Sequence, residues 1–246
     1  MKKKAWFRFH HSLNDFLRRS QRDQFIEYSF NGNPPIKDAI EAIGIPHVEV
    51  NAIIIRHNPV QFTYLLKENE QVEVYPSSHK PFLPAEYTLQ PYLTYKKFVL
   101  DVHLGSLARK LRLFGFDTAY QTNFTDHQIA SIAQTEERIV LTRDIGLLKH
   151  KAITWGYWLR SQHIMEQLKE VIDRFEITKH VKPFSRCLKC NGSIQEIEKD
   201  FIQSSIPDHT SKIFSEYYQC NNCNKIYWKG SHYDKMLSFI NTSMQL

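Results

Sequence analysis

Apolar and polar side chains alternate at the start of the chain. Trp6-Phe7-Arg8-Phe9-His10 and Phe25-Ile26-Glu27-Tyr28-Ser29-Phe30 each put their apolar groups on one side of an extended backbone, which predicts a pair of half-buried strands. After the turn signal Asn31-Gly32-Asn33-Pro34 the period changes. Pro35 opens a stretch in which Ile36, Ala39, Ile40 and Ile43 recur at helical spacing, and Gly44 ends it. Strand-like runs return at 48–55, 59–65 and 72–75, so the first 76 residues read β-β-α-β-β-β.

That order is the order of a β-grasp domain, assigned here to residues 1–76. Residues 77–95 carry Pro81, Pro84 and Pro91 with little periodicity, as a linker or an extended segment would. From Lys96 strands and helices alternate: strands at 98–100, 118–120, 139–141 and 153–158, helices at 104–114, 126–134 and 161–175. This pattern predicts a parallel α/β sheet with helices on both faces over 96–180. Residues 181–246 are short-period, aromatic and hold every cysteine, which marks a third, small module. The fold class expected is therefore α/β and α+β, multidomain.

Composition narrows the class. At 246 residues the chain has room for two or three domains. Its 42% hydrophobic and 24% charged residues exclude a disordered or fibrous chain. No apolar run approaches the roughly 18 residues of a membrane span; the run 52–55 stops at Arg56. Lys2-Lys3-Lys4 imitates the start of a signal peptide, but Arg8, His10 and His11 interrupt the apolar stretch that should follow, so a cytoplasmic protein is expected. The net charge of +6 divides as +1, +3 and +2 over 1–95, 96–180 and 181–246, which suits a polyanionic partner or a solvated basic surface.

Candidate chemistry lies where a parallel sheet concentrates it, outside the carboxyl ends of the strands. Asp101 follows Phe98-Val99-Leu100, Asp144 follows Ile139-Val140-Leu141-Thr142-Arg143, and Asp126 opens the helix after the strand at 118–120. Clustered carboxylates repel unless a divalent cation neutralises them, so the three are candidate ligands for Mg²⁺ or Mn²⁺ and for activation of a water. Each is also a good helix N-cap, and that reading stays open. Arg109, Arg112, Thr142 and Arg143 are candidates for holding phosphate. Asp117, at the opposite end of its strand, reads as structural.

Cys187-Leu188-Lys189-Cys190 and Cys220-Asn221-Asn222-Cys223 form two C-x₂-C knuckles with no cysteine left over. Four thiolates in that spacing close a tetrahedral Zn²⁺ shell, a structural site with no open position. Near them, Tyr227, Trp228, Lys229, His232 and Tyr233 interleave aromatic faces with cations, a pattern that suits unpaired bases and phosphates. Core packing is the competing reading, and the favoured one for Trp228.

The run Phe98-Val99-Leu100-Asp101-Val102-His103-Leu104-Gly105-Ser106-Leu107-Ala108-Arg109-Lys110-Leu111-Arg112, the string Leu141-Thr142-Arg143-Asp144, the two knuckles and Tyr227-Trp228-Lys229-Gly230-Ser231-His232 resemble the Mut-seven C-terminal RNase-domain family. Residues 36–50 are similar to the ubiquitin-like domain fused to it in bacteria. The resemblance implies a PilT N-terminal (PIN)-like nuclease fold with a zinc ribbon. It implies metal-dependent endoribonuclease activity at Asp101, Asp126 and Asp144, with Arg112 and Arg143 as the family's basic residues; Arg109, Thr142, Lys229 and His232 complete the candidate substrate contacts. PIN nucleases commonly gather four acids, and three are placed here. The ubiquitin-like segment lacks a terminal Gly-Gly, having Pro76-Ser77 after Tyr75, so docking to a protein partner or substrate gating is expected rather than carrier chemistry. The alternative is a non-catalytic RNA-binding or partner-recruiting protein.

Overall fold

The computed structural model describes residues 2–76, 87–91, 93 and 96–244. Most of the proposed linker, 77–86 with 92, 94 and 95, lies outside the described residues. The chain divides into two compact units that interleave in sequence: residues 1–94 with 126–158, and 95–125 with 159–246.

In the first unit, β1 (Lys3–Phe9), β2 (Ile26–Phe30), β3 (Val50–Ile55), β4 (Asn58–Pro59) and β5 (Gln71–Pro76) form one sheet in the order β2-β1-β5-β3-β4. The central pair β1 and β5 is parallel and the other pairs are antiparallel. Helix α1 (Ile36–Ile43) buries Ile36, Ala39 and Ile40 against that sheet, with Phe7, Phe9, Ile53, Val72 and Val74 in the same core. This is the β-grasp arrangement expected from the order of elements.

The expected strand at 59–65 is a correction: only Asn58–Pro59 pairs as a strand. The alternation that suggested it has another cause. Val60, Phe62 and Tyr64 pack on the core, while the carbonyls of Phe62 and Tyr64 accept the Lys37 and Ile36 N–H groups at the start of α1. Leu89, from the proline-rich stretch, packs on the same core and donates its N–H to the Asn51 carbonyl.

The first unit also contains α3 (Asp126–Thr135), β8 (Ile139–Thr142), α4 (Ile145–Leu148) and β9 (Gly156–Trp158), the last pairing in parallel with β8. Buried polar groups join these elements to the β-grasp sheet. Glu49, 1% exposed, accepts the Trp158 N–H at 2.7 Å. His47 lies between Glu41 Oε1 at 2.6 Å and the Ile153 carbonyl at 2.8 Å, and Lys149 donates to the Glu41 carbonyl. Burial would raise the Glu41 carboxyl, but the hydrogen bond from His47 outweighs it and lowers it. Gly156 is required by close approach: a Cβ there would meet Leu148 Cδ2 at 2.7 Å and Val48 Cγ2 at 3.1 Å.

The second unit holds β6 (Phe98–Leu100), α2 (Gly105–Leu113), β7 (Thr118–Ala119), α5 (Ile164–Phe175), β10 (Ile194–Ile197), α6 (Asp208–Ile213), β11 (Tyr217–Cys220), β12 (Ile226–Trp228) and α7 (Ser231–Met244). Strands β6 and β7 pair in parallel, and Phe98 packs edge-on against Phe116 and Phe175. Strands β10, β11 and β12 form an antiparallel sheet that carries the cysteines. The 29 residues between the knuckles supply β10, α6 and most of β11. They make a small core of Ile202, Ile206 and Tyr217.

Candidate metal centre and nucleic-acid face

Each cysteine knuckle is built by the same local bonds. Cys187 N donates to the Gly192 carbonyl and Asn191 N to the Cys187 carbonyl; Cys220 N donates to Lys225 and Asn224 N to Cys220. Asn191 and Asn224, each directly after the second cysteine of its pair, take left-handed φ of 69° and 56°, a conformation Asn tolerates better than most residues. The signal for it in the sequence is the repeated Cys-x₂-Cys-Asn.

The four sulfurs all lie within 4.8 Å of one another, with Cys187–Cys223 at 3.6 Å and Cys190–Cys220 at 3.4 Å. Tetrahedral Zn–S bonds of about 2.3 Å would separate sulfurs by roughly 3.8 Å, so the donor set fits a Zn²⁺ ion. None is in a disulfide. Burial raises the Cys187 thiol, but the Tyr227 hydroxyl at 3.0 Å and the amides of Cys190 and Lys189 overcome it and hold the thiol at about 6. Cys223 is raised to about 12 by burial, with the neighbouring sulfurs adding to it. A divalent cation removes that conflict by neutralising the sulfurs together. Among the described residues these cysteines are the group of His, Cys, Asp or Glu close enough to share one ion.

Asp101 and Asp144 stand directly beyond β6 and just past β8, as expected. Asp101 is 9% exposed and caps the short turn at Val102–Leu104, its carboxylate facing the His103 N–H at 3.5 Å. Asp144 is exposed and accepts the Gly146 N–H at 2.7 Å. Asp126 is the exposed first residue of α3. Asp126 and Asp144 belong to the first unit and Asp101 to the second.

The other expected contacts separate into inward and outward groups. Thr142 is fully buried and its Oγ1 accepts the Asp144 N–H at 2.9 Å, so it shapes the loop instead of meeting a substrate. Arg112 is 3% exposed and donates to the carbonyls of Thr118, Leu188 and Lys189, which spends its guanidinium on bracing the first knuckle against α2. Asp117 completes that brace through Asn191 Nδ2 at 2.7 Å, a structural role as read from the sequence. The Arg143 carbonyl accepts the Trp158 indole N–H. Arg109, Lys229 and His232 are exposed, and Lys229 pairs with Glu216.

Two concavities lie in the second unit. A groove of about 630 Å³ runs between the start of α2, with His103, Ser106 and Arg109, and the two knuckles, with Lys189 and Lys225. Gly105 is needed where Tyr120 packs over the helix start, since a Cβ would meet its hydroxyl at 2.6 Å; that hydroxyl donates to the Val102 carbonyl. Cations beside a helix N-terminus suit phosphate. A cavity of about 530 Å³ lies across the ribbon sheet, lined by Tyr218, Tyr227, Trp228 and Tyr233. Trp228 is 37% exposed, which corrects the core reading; Tyr217 fills the core instead. Lys189 and Tyr218, which sequence reasoning missed, had no signal beyond exposure on a small module.

No curated protein and no solved structure matches the chain. Two family models do: the Mut7-C RNAse domain over residues 96–240 and the Mut7-C ubiquitin domain over 2–81. The parallel strand pairs with their strand-end aspartates, the four-sulfur centre and the β-grasp sheet all fall within those matches, and the chain belongs to the Mut7-C RNAse domain family, carrying its ubiquitin-like domain at the N-terminus.

Proposed function

We propose that the protein is a metal-dependent endoribonuclease whose acids Asp101, Asp126 and Asp144, not gathered into one ligand group among the described residues, would take Mg²⁺ or Mn²⁺, while a separate Zn²⁺ on the four cysteines would maintain the ribbon. The observation that carries the reading is the position of Asp101 and Asp144 just past apolar strands inside the segment matched by the RNAse family. A bound divalent ion supplies an activated water and stabilises charge on the phosphodiester. The chain's own share is to orient the acids and hold the substrate. Thr142 Oγ1 accepts the Asp144 backbone N–H, the Gly146 amide donates to the Asp144 carboxylate, and Arg109 would neutralise the phosphate backbone beside Asp101, with His103 as a further hydrogen-bonding group. Four cysteines given to a metal and none to a disulfide suit a reducing, cytoplasmic setting. Arg143 and His232 belong to the outer substrate contacts in this reading.

Asp144→Asn is the test. Asn is as good a cap as Asp, so the Gly146 bond and the fold survive while the metal ligand is weakened. Metal-stimulated cleavage of RNA should fall by at least about a hundredfold, a loss of the size expected when a positioned catalytic group is removed. Cleavage equal to the unmodified protein would overturn the reading. The second reading, a non-catalytic RNA-binding or partner-recruiting protein, draws on the capping work that Asp101 and Asp144 already do. It predicts salt-dependent RNA affinity indifferent to Mg²⁺ and no cleavage by either form.

A further inference from the structure

The aromatic cavity on the ribbon has no part in holding the cleavage site together. Tyr218 of β11 and Tyr227 of β12 stand directly opposite each other in the antiparallel register. Neighbouring Tyr217 points the other way and fills the core with Ile202 and Ile206. Tyr217 is thus spent on the core, while Tyr218 and Tyr227, the latter with its hydroxyl on Cys187 Sγ, line the cavity. Tyr233 of α7 closes it, stacked on Phe184 with ring centroids 4.6 Å apart. The Lys229 ammonium sits 5.8 Å over the Tyr218 ring, so a cation lies at the edge of the stacking surface.

Leu188 lines both this cavity and the basic groove, which makes them successive stretches of one surface. Together they are lined by six Lys and Arg residues and a single acid, Glu196; Arg112 is buried, Arg186 and Lys229 pair with Asp117 and Glu216, and Lys189, Lys225 and Arg109 are exposed. Aromatic walls followed by a row of cations call for a ligand with a flat ring at one place and repeating anions beyond it. An unpaired nucleobase on a phosphodiester strand has that form; a duplex does not, because its base faces are already stacked on one another.

We propose that the cavity of Tyr218, Tyr227 and Tyr233 receives an unpaired base of a single-stranded RNA whose backbone follows Lys189, Lys225 and Arg109 to the acid at Asp101. The choice of RNA rests on the nuclease reading above; the single-strandedness rests on the cavity. The substrate class is thus an unpaired strand, held at the ribbon and presented to Asp101.

The test uses the full-length, zinc-loaded protein and a short fluorescein-labelled oligoadenylate, alone or annealed to its complement, with no Mg²⁺ or Mn²⁺ added. The single strand should bind more tightly than the duplex. Tyr218→Ala and Tyr233→Ala, on different elements, should each weaken single-strand binding about tenfold, the size of one lost base stack, and leave duplex binding unchanged. Tyr218→Phe, which keeps the ring, should bind as the unmodified protein does. Zinc content checks the ribbon in each variant. A 2-aminopurine in the strand, quenched on binding to the unmodified protein, gives a reading that needs no variant. Equal affinity for duplex and single strand, an unquenched 2-aminopurine, or full affinity in zinc-loaded Tyr218→Ala and Tyr233→Ala would each overturn the proposal. Binding is read without cleavage, so an inactive protein that passes this assay would count against the nuclease reading alone.

Discussion

Arg112 shows how a single side chain can look like one thing in sequence and be another in the fold. It lies one helical turn from exposed Arg109 and in a basic run, yet it is buried and shared among carbonyls of β7 and of the first knuckle. Burial lowers its pKa, an effect that the Cys187 and Cys190 sulfurs oppose. Its partners Leu188 and Lys189 follow 76 and 77 residues later, a separation no local pattern reports. Arg112→Met should leave those carbonyls unpaired and destabilise the protein by about 2–3 kcal/mol, measured by urea denaturation. The cysteines were the reverse case, since their chemistry is written in two-residue spacings and survives into the fold unchanged.

Among elements, the most legible was α1, whose apolar stripe and terminal glycine are local and whose bounds match the expectation. The run 59–65 failed because alternation reports packing on a core and not the presence of a ladder partner. The ribbon's elements were legible only as a metal module. Its sheet has three short strands and a core of few residues, a size at which an ion on the four cysteines would supply much of the stability. Removing zinc with a chelator should therefore unfold residues 187–228 while the β-grasp sheet persists. One zinc per chain by metal analysis, and loss of ribbon amide signals on chelation with retention of those from Lys3–Phe9, would check it. Cys190→Ser should produce the same loss without a chelator.

For the whole molecule, the company that the β-grasp sheet keeps was not legible. It shares a compact unit with residues 126–158, through Glu49, His47 and the close pass of Val48 by Gly156. These contacts span more than a hundred residues of sequence. Glu49→Ala would strand the buried Trp158 N–H at an expected cost of about 1–3 kcal/mol. Faster amide exchange at 139–158, with zinc content unchanged, is the result that would confirm a local effect. Trp158 in turn bonds the Arg143 carbonyl next to Asp144, so the ubiquitin-like domain supports the loop that presents this acid.

The interleaving of the two units also orders their assembly in time. The β-grasp sheet is complete once residue 76 has emerged from a ribosome, whereas its unit needs residue 158. At typical synthesis rates that interval is roughly several seconds, long compared with the folding of a small domain. The N-terminal sheet therefore has time to form before the segment that bears Asp126 and Asp144 is synthesised.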